Sequence, residues 1–117
     1  MHNAVKFNKS LEYIEKNLDS KISLDDLAKD AYLSKYHYHR LFHKTAGEPV
    51  SRYIARRRMA KAASELAETD GRIVDIALKY QYNSQESFSR AFKKVYGMAP
   101  GEYRRKNLKN TPCMLAA

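Results

Sequence analysis

The sequence predicts an all-α fold of about seven helices, and three observations carry that expectation. Apolar residues recur at spacings of three and four along most of the 117 residues. Serines and glycines interrupt the pattern where helices would begin and end. The chain also repeats itself. Leu24-Asp25-Asp26-Leu27-Ala28, Ser34, Arg40, Phe42, Lys44, Gly47 and Tyr53 return as Ile73-Val74-Asp75-Ile76-Ala77, Ser84, Arg90, Phe92, Lys94, Gly97 and Tyr103. The offset is 49 up to Ala28/Ala77 and 50 from Ser34/Ser84, so the second copy carries one extra residue at its turn.

Each element has a local reason. Phe7, Leu11, Ile14 and Leu18 form a single apolar stripe, the mark of a first amphipathic helix. Ser23 with Asp26 three residues on resembles a capping box, opening a short second helix with Leu24, Leu27, Ala28 and Ala31 facing inward. Ser34 is the N-cap of a third helix that Gly47 stops, and Pro49 suits the first turn of a long fourth helix reaching about Leu66. Asp70-Gly71 breaks that helix. A fifth comes next over roughly 72–80, a sixth runs from cap Ser84 to stop Gly97, and Pro100 opens a short last one. The tail from Leu108 to Ala117 has no periodicity and is expected to be disordered.

A short helix, a tight turn and a second helix make a helix-turn-helix, which sets its second helix into the DNA major groove. Two copies in one chain suggest a monomer that reads DNA as a dimer would. Each copy spans only about fifty residues, a size at which a lone core is marginal, so the halves should lean on a shared element.

Charge tracks the repeat. The net charge is +9, but residues 34–61 and 84–117 hold 15 of the 22 Lys and Arg and only 3 of the 13 Asp and Glu. The excess falls on the second helix of each copy and on the residues C-terminal to it, an electrostatic footprint for a polyanion. No apolar run is long enough for a membrane span, Met1-His2-Asn3-Ala4-Val5 lacks the apolar core of a secretory signal, and the single Cys113 offers neither disulfide framework nor cysteine metal cluster. The expected location is the cytoplasm. Gly47, Gly71, Gly97 and Gly101 are scattered, unlike a phosphate-binding loop.

At 100° per residue, Tyr38, Leu41, Phe42 and Thr45 should face inward on the third helix, leaving Tyr36, His39, Arg40 and His43 outward with Lys35 and Lys44 at the edges. The same arithmetic puts Phe88, Ala91, Phe92 and Val95 inside on the sixth helix, and Glu86, Ser89, Arg90 and Lys93 outside, flanked by Gln85 and Lys94. The candidate base-reading residues are therefore Tyr36, His39, Arg40, Gln85, Glu86, Ser89 and Arg90. The candidate phosphate contacts are Ser34, Lys35, His43, Lys44, Arg56, Ser84, Lys93 and Lys94. Ser87 and Ser89 read as DNA-facing hydroxyls. In Arg56-Arg57-Arg58 the three side chains cannot all face one way, so part of the triplet should meet phosphate or acidic side chains.

These motifs carry a family resemblance over about residues 8–106. Ser34-Lys35-Tyr36-His37-Tyr38-His39-Arg40-Leu41-Phe42, Tyr53-Ile54-Ala55-Arg56-Arg57-Arg58, Asp75-Ile76-Ala77, the run Tyr82 to Lys94, and Pro100 with Tyr103-Arg104 resemble the DNA-binding domain of the AraC/XylS transcription regulators, most closely the MarA, SoxS and Rob branch. The resemblance implies seven helices: a first helix-turn-helix subdomain at 8–47, a linker helix at 49–67 and a second subdomain at 71–106, within one domain at 1–107. It also implies adjacent major grooves on one DNA face and a role in activation. Where the family has Gly in each turn this chain has Tyr32 and Gln81, so an adjusted turn is expected. Where the branch has Trp and two Gln, it has Tyr36, His39 and Glu86. The operator need not match theirs. Glu86 would favour the amino group of cytosine, or pair with a nearby cation.

His39 and His43 stand four apart, a spacing zinc can use, but a third ligand is not evident, so no metal and no cofactor is expected. No catalytic constellation is present, and an enzyme is not expected. RNA fits the charge but not the paired helices. The expected partners are double-stranded DNA and RNA polymerase, with a monomer on DNA. The alternative is a basic helical protein-interaction module docking on RNA polymerase or other acidic partners. Whether the chain is a whole small regulator or the reading module of a larger one stays open.

Overall fold

The computed structural model describes residues 2–107, and every regular element among them is a helix. In order these are α1 (His2–Lys16), α2 (Leu24–Asp30), α3 (Lys35–Ala46), α4 (Val50–Glu68), α5 (Ile73–Lys79), α6 (Gln85–Tyr96) and α7 (Pro100–Asn107). The tail expected over 108–117 lies outside the described residues. The chain divides into two compact units between Arg57 and Arg58, within α4.

The caps fall where the residue types require them. Ser23 Oγ accepts from Asp26 N–H at 3.2 Å, Ser34 Oγ from His37 N–H at 3.1 Å and Ser84 Oγ from Ser87 N–H at 3.1 Å. Each satisfies a backbone donor that the first helical turn leaves without a partner. Gly47 and Gly97 end α3 and α6 at φ 81° and 75°, a left-handed conformation that costs glycine little. Pro49 stands just before α4 rather than in it: its carbonyl accepts from Tyr53 N–H at 3.0 Å. Of the prolines among the described residues, Pro100 alone occupies a first helical position.

The turns after α2 and α5 are built alike. Leu33 N–H donates to Ala28 O at 3.0 Å and Tyr32 N–H to Lys29 O at 2.9 Å; Tyr82 N–H donates to Ala77 O at 3.0 Å and Gln81 N–H to Leu78 O at 3.1 Å. This is a Schellman closure, and it needs a left-handed residue after the helix. Tyr32 and Gln81 fill that place at φ 58° and 71°. Both turns thus set an L-residue where glycine would sit unstrained. The extra residue of the second copy is Asn83, between this closure and cap Ser84.

In the first unit Phe42 is 1 % exposed, with Phe7, Tyr38 and Tyr53 at ring-centroid distances of 5.2, 6.1 and 5.5 Å. Ile14, Leu18, Leu27, Ala28, Val50 and Ile54 complete that core, Leu18 from beyond the end of α1. In the second unit Phe92 is fully buried, with Phe88, Tyr96 and Tyr103 at 5.7, 4.5 and 5.2 Å. Met59, Ala62, Leu66, Ile76, Ala77 and Tyr80 are buried in that unit.

The inward faces differ from expectation at one position in each copy. Thr45 is exposed and Val95 is 63 % exposed, while Ala46 and Tyr96 turn partly inward. The buried row takes the four-residue step 38–42–46 and 88–92–96 because Tyr53 and Tyr103 approach Phe42 and Phe92 from that side.

Glu65 ties α4 to α5 within the second unit. Its Oε1 accepts from Lys79 Nζ at 2.5 Å and from Tyr80 Oη at 2.6 Å. Burial pushes its carboxyl up, but these two donors outweigh burial and hold it below its ordinary value. A depressed folded value contributes stability above the unfolded pKa that disappears as pH falls through the folded one.

Phe42→Ala and Phe92→Ala should each destabilise their unit by about 3–5 kcal/mol, seen in denaturant melts. Tyr32 is 89 % exposed, so Tyr32→Gly sacrifices little packing and removes the left-handed penalty. The gain should be about 0.5–1 kcal/mol by equilibrium unfolding, a left-handed cost of about 1–2 less the extra chain entropy of glycine. Glu65→Gln should cost about 1–2 kcal/mol at neutral pH, and the difference from the parent should shrink as pH falls through the lowered folded value of Glu65. A difference that persists in acid would assign Glu65 a packing role instead.

Candidate nucleic-acid interface

Burial of Tyr38 and Phe42 turns the opposite side of α3 to solvent. There Tyr36 is 63 % exposed, Lys35, Arg40, His43 and Lys44 are exposed, and His39 is half-buried with its ring edge-on to Tyr38. Arg40 Nη1 donates to Tyr36 Oη at 3.0 Å, and its guanidinium stands 5.7 Å from the centre of that ring. The phenol thus steers the arginine while leaving its remaining donors free. Arg40, His43 and Lys44 border one shallow depression with Leu33, His37 and Leu41. Lys35 also reaches Asp25 at 3.3 Å, an exposed pair of small energetic weight.

α6 repeats the arrangement. Gln85, Glu86, Arg90, Lys93 and Lys94 are exposed and Ser89 is half-buried. Arg90 Nη1 lies 3.6 Å from Glu86 Oε1, one helical turn apart, as Arg40 lies one turn from Tyr36. Glu86 thus pairs with a cation, one of its two expected fates. Ser87 does not present a free hydroxyl: its Oγ donates to Ser84 O at 3.0 Å and accepts from Ser84 Oγ at 3.2 Å. That bond and the cap occupy both serines in the turn. Ser34 is engaged likewise, its Oγ 2.7 Å from His37 Nδ1. The two cap serines can still approach a phosphate as parts of a helix N-terminus, where backbone N–H groups favour an anion.

The arginine triplet goes three ways. Arg56 donates from Nη2 and Nε to Glu48 Oε2 at 2.8 and 3.2 Å, and lies 5.3 Å from the Tyr53 ring centre. Arg57 donates from Nε to Glu15 Oε1 at 2.6 Å and from Nη2 to Oε2 at 3.3 Å, joining α4 to α1 in the first unit. Arg58 is half-buried; burial lowers its pKa, and the nearby Tyr82 pulls the other way. A phosphate contact by Arg56 would therefore compete with Glu48, a residue that sequence pattern alone did not single out. The signal that could have found it is that Glu48 is the sole acid between Ser34 and Lys61.

Arg104, part of the family motif, donates from Nε to Leu66 O at 2.9 Å and so serves the second unit's interior. Among the described residues no group of three or more His, Cys, Asp or Glu could hold a metal ion, and no helix is long and apolar enough to cross a membrane. Each unit thus presents one outward helix face rich in hydrogen-bonding and cationic groups.

Comparison with known proteins agrees with this geometry. Residues 27–106 match the helix-turn-helix domain family. The HTH-type transcriptional activator AarP of Providencia stuartii is 47 % identical over 94 residues, covering 80 % of this chain and 70 % of that protein. The uncharacterized HTH-type transcriptional regulator YbfP of Bacillus subtilis is 50 % identical over 96 residues, 82 % of this chain but only 32 % of that longer protein. A crystal structure of a transcriptional regulator from Chromobacterium violaceum, described as AraC-type DNA-binding domain-containing, superposes with a TM-score of 0.83 at 26 % identity, covering 92 % of this chain and 96 % of that one. With its caps, its paired turns and these relatives, the chain belongs to the AraC-type helix-turn-helix family of transcription regulators.

Proposed function

We propose that this protein is a sequence-specific double-stranded-DNA-binding transcription regulator that acts as an activator in the cytoplasm. It binds as a monomer, with α3 and α6 each entering a major-groove segment, the two segments adjacent along one DNA face. The observation that carries this reading is the matched pair of outward faces. Arg40 and Arg90 occupy equivalent positions on the second helix of each copy, and each is steered by the side chain one turn earlier. Arginine pairs in bidentate fashion with guanine O6 and N7, the commonest specific contact in the major groove. Tyr36, His39, Gln85, Glu86 and Ser89 read neighbouring bases, while Lys35, His43, Lys44, Lys93, Lys94 and the caps Ser34 and Ser84 hold phosphate. Arg56 joins them where phosphate displaces Glu48. As an activator the protein would also touch RNA polymerase, in keeping with the activator name of its Providencia relative.

Arg40→Ala and Arg90→Ala should each weaken specific binding by about 1–3 kcal/mol and relax base preference in different halves of the selected site. Binding titrations on a site selected from random duplex DNA, against a scrambled duplex, provide the measurement. Equal losses on specific and scrambled DNA would make both arginines phosphate contacts. The monomer reading is tested by spacing. Adding about 5 bp between the half-sites turns one to the far side of the duplex, since a helical turn takes about 10 bp. Affinity should fall towards that of a single half-site, and protection of one half should disappear from the footprint. Full affinity on the half-turn insertion would mean either that the linker helix flexes freely or that one unit alone reads DNA.

A further inference from the structure

Positions 36 and 86 correspond in the two copies, as do 40 and 90, yet the chemistry at the first pair differs. Arg40 rests against the neutral phenol of Tyr36, whereas Arg90 rests against the carboxylate of Glu86. α3 carries Lys35, Arg40 and Lys44 with no acid, while α6 sets Glu86 among Arg90, Lys93 and Lys94. The Glu86 side chain is 83 % exposed, so no buried structural contact accounts for it. On a face turned towards a polyanion it is a liability. It repels phosphate and offsets the charge of the one arginine placed to read a base.

Resting on the groove-facing assignment of α6 proposed above, we infer that Glu86 is the specificity-determining residue of the second unit. Its carboxylate selects cytosine beside the guanine that Arg90 reads. Cytosine offers the N4 amino donor in the major groove. A carboxylate accepts from that group and meets only acceptors on guanine and on the thymine O4, so both are rejected. Adenine offers a donor at N6 but sets the N7 acceptor beside it. In the free protein the exposed 3.6 Å pair with Arg90 is weak and opens at little cost. On the matching site Arg90 turns to guanine and Glu86 to cytosine, and both charges find partners. On any other sequence at least one does not. Residues about one turn apart on a helix lying in the major groove contact successive bases, so the selected cytosine lies next to the guanine, on the side of the helix N-terminus. The second unit thereby gives up general affinity for discrimination, while Tyr36 leaves the first unit free to grip.

The test compares the parent, Glu86→Gln and Arg90→Ala by selection from random duplex DNA and by titration on the selected site with each base pair substituted. The parent should require cytosine next to the guanine whose preference Arg90→Ala removes, and replacing it should weaken binding about tenfold. Glu86→Gln should lose that requirement or move it to adenine, whose N6 and N7 glutamine pairs in bidentate fashion. It should also bind scrambled duplex more tightly than the parent. Because the side chain is exposed, the variant should melt as the parent does. If Glu86→Gln keeps every base preference of the parent while Arg90→Ala still loses its guanine, the inference is overturned. Glu86 then only stabilises the start of α6, and the DNA-reading assignment stands. If the parent shows no sequence preference on duplex DNA, that assignment and this inference fall together.

Discussion

Burial of one phenylalanine in each unit governs both stability and the direction of the outward polar face. Phe42 and Phe92 are all but sealed from solvent, each enclosed by rings from other parts of its unit as well as from its own helix. A residue two places earlier on a helix points about 200° away around the axis. Arg40 and Arg90 stand there. Packing the phenylalanine inward therefore turns the arginine outward, and no separate interaction is needed to aim it. The i−4 contacts to Tyr36 and Glu86 then refine a direction the core has already chosen. The same logic explains why Thr45 and Val95 lie outside. Once Tyr53 and Tyr103 press on the phenylalanines from one side, the four-residue row closes over them and the three-residue neighbour is left in solvent.

Most of the fold was legible because its punctuation is local. Ser23, Ser34 and Ser84 cap through their own hydroxyls, and Gly47 and Gly97 accept a left-handed φ, so residue type and position suffice to place five helix ends. The outward residues of α3 and α6 were legible for the same reason, as the complement of a periodic apolar row. What escaped were contacts that depend on distant partners. Arg57 meets Glu15 across 42 residues, and nothing near Arg57 in the sequence indicates it. Arg56 and Glu48 are eight apart and straddle the start of a helix, a separation outside the three- and four-residue spacings that helical patterns reveal. The turn residues Tyr32 and Gln81 stand out in the sequence as unusual, but sequence alone did not decide whether the backbone or the residue would yield. The closure to Ala28 and Ala77 decides it: two backbone hydrogen bonds per turn fix the left-handed conformation whatever side chain occupies it.

The one-residue difference between the copies shows where such a fold absorbs change. Asn83 enters after the closure of α5 and before the cap of α6, so neither hydrogen-bonded motif is interrupted. The caps themselves take up the difference: Ser34 has φ −67° and Ser84 φ −156°, both extended and both compatible with the same hydroxyl-to-N3 bond. An insertion on either side of that point would break a Schellman pair or a cap, each of which satisfies backbone groups at a helix end. Loops tolerate length where no backbone hydrogen bond spans the added residue.

Charge must be read after its internal partners are removed. The formal excess of +9 suggests a long basic surface, and the sequence places much of it near Arg56-Arg57-Arg58. There the structure uses it internally. Arg57 is held by Glu15 with both side chains about one-third exposed, and Arg56 by Glu48, whose side chain is 18 % exposed. A cation already neutralised by a carboxylate displaces few counterions from a phosphate, because moving it to DNA leaves the acid without its partner. The charge able to grip a polyanion is therefore smaller than the composition implies. On α3 and α6, Lys44 and Lys94 are exposed at equivalent positions, and Lys93 stands where α3 has His43. On the proposed reading, phosphate grip and base reading occupy the same short helix in each half, so a shift of that helix would disturb affinity and specificity together.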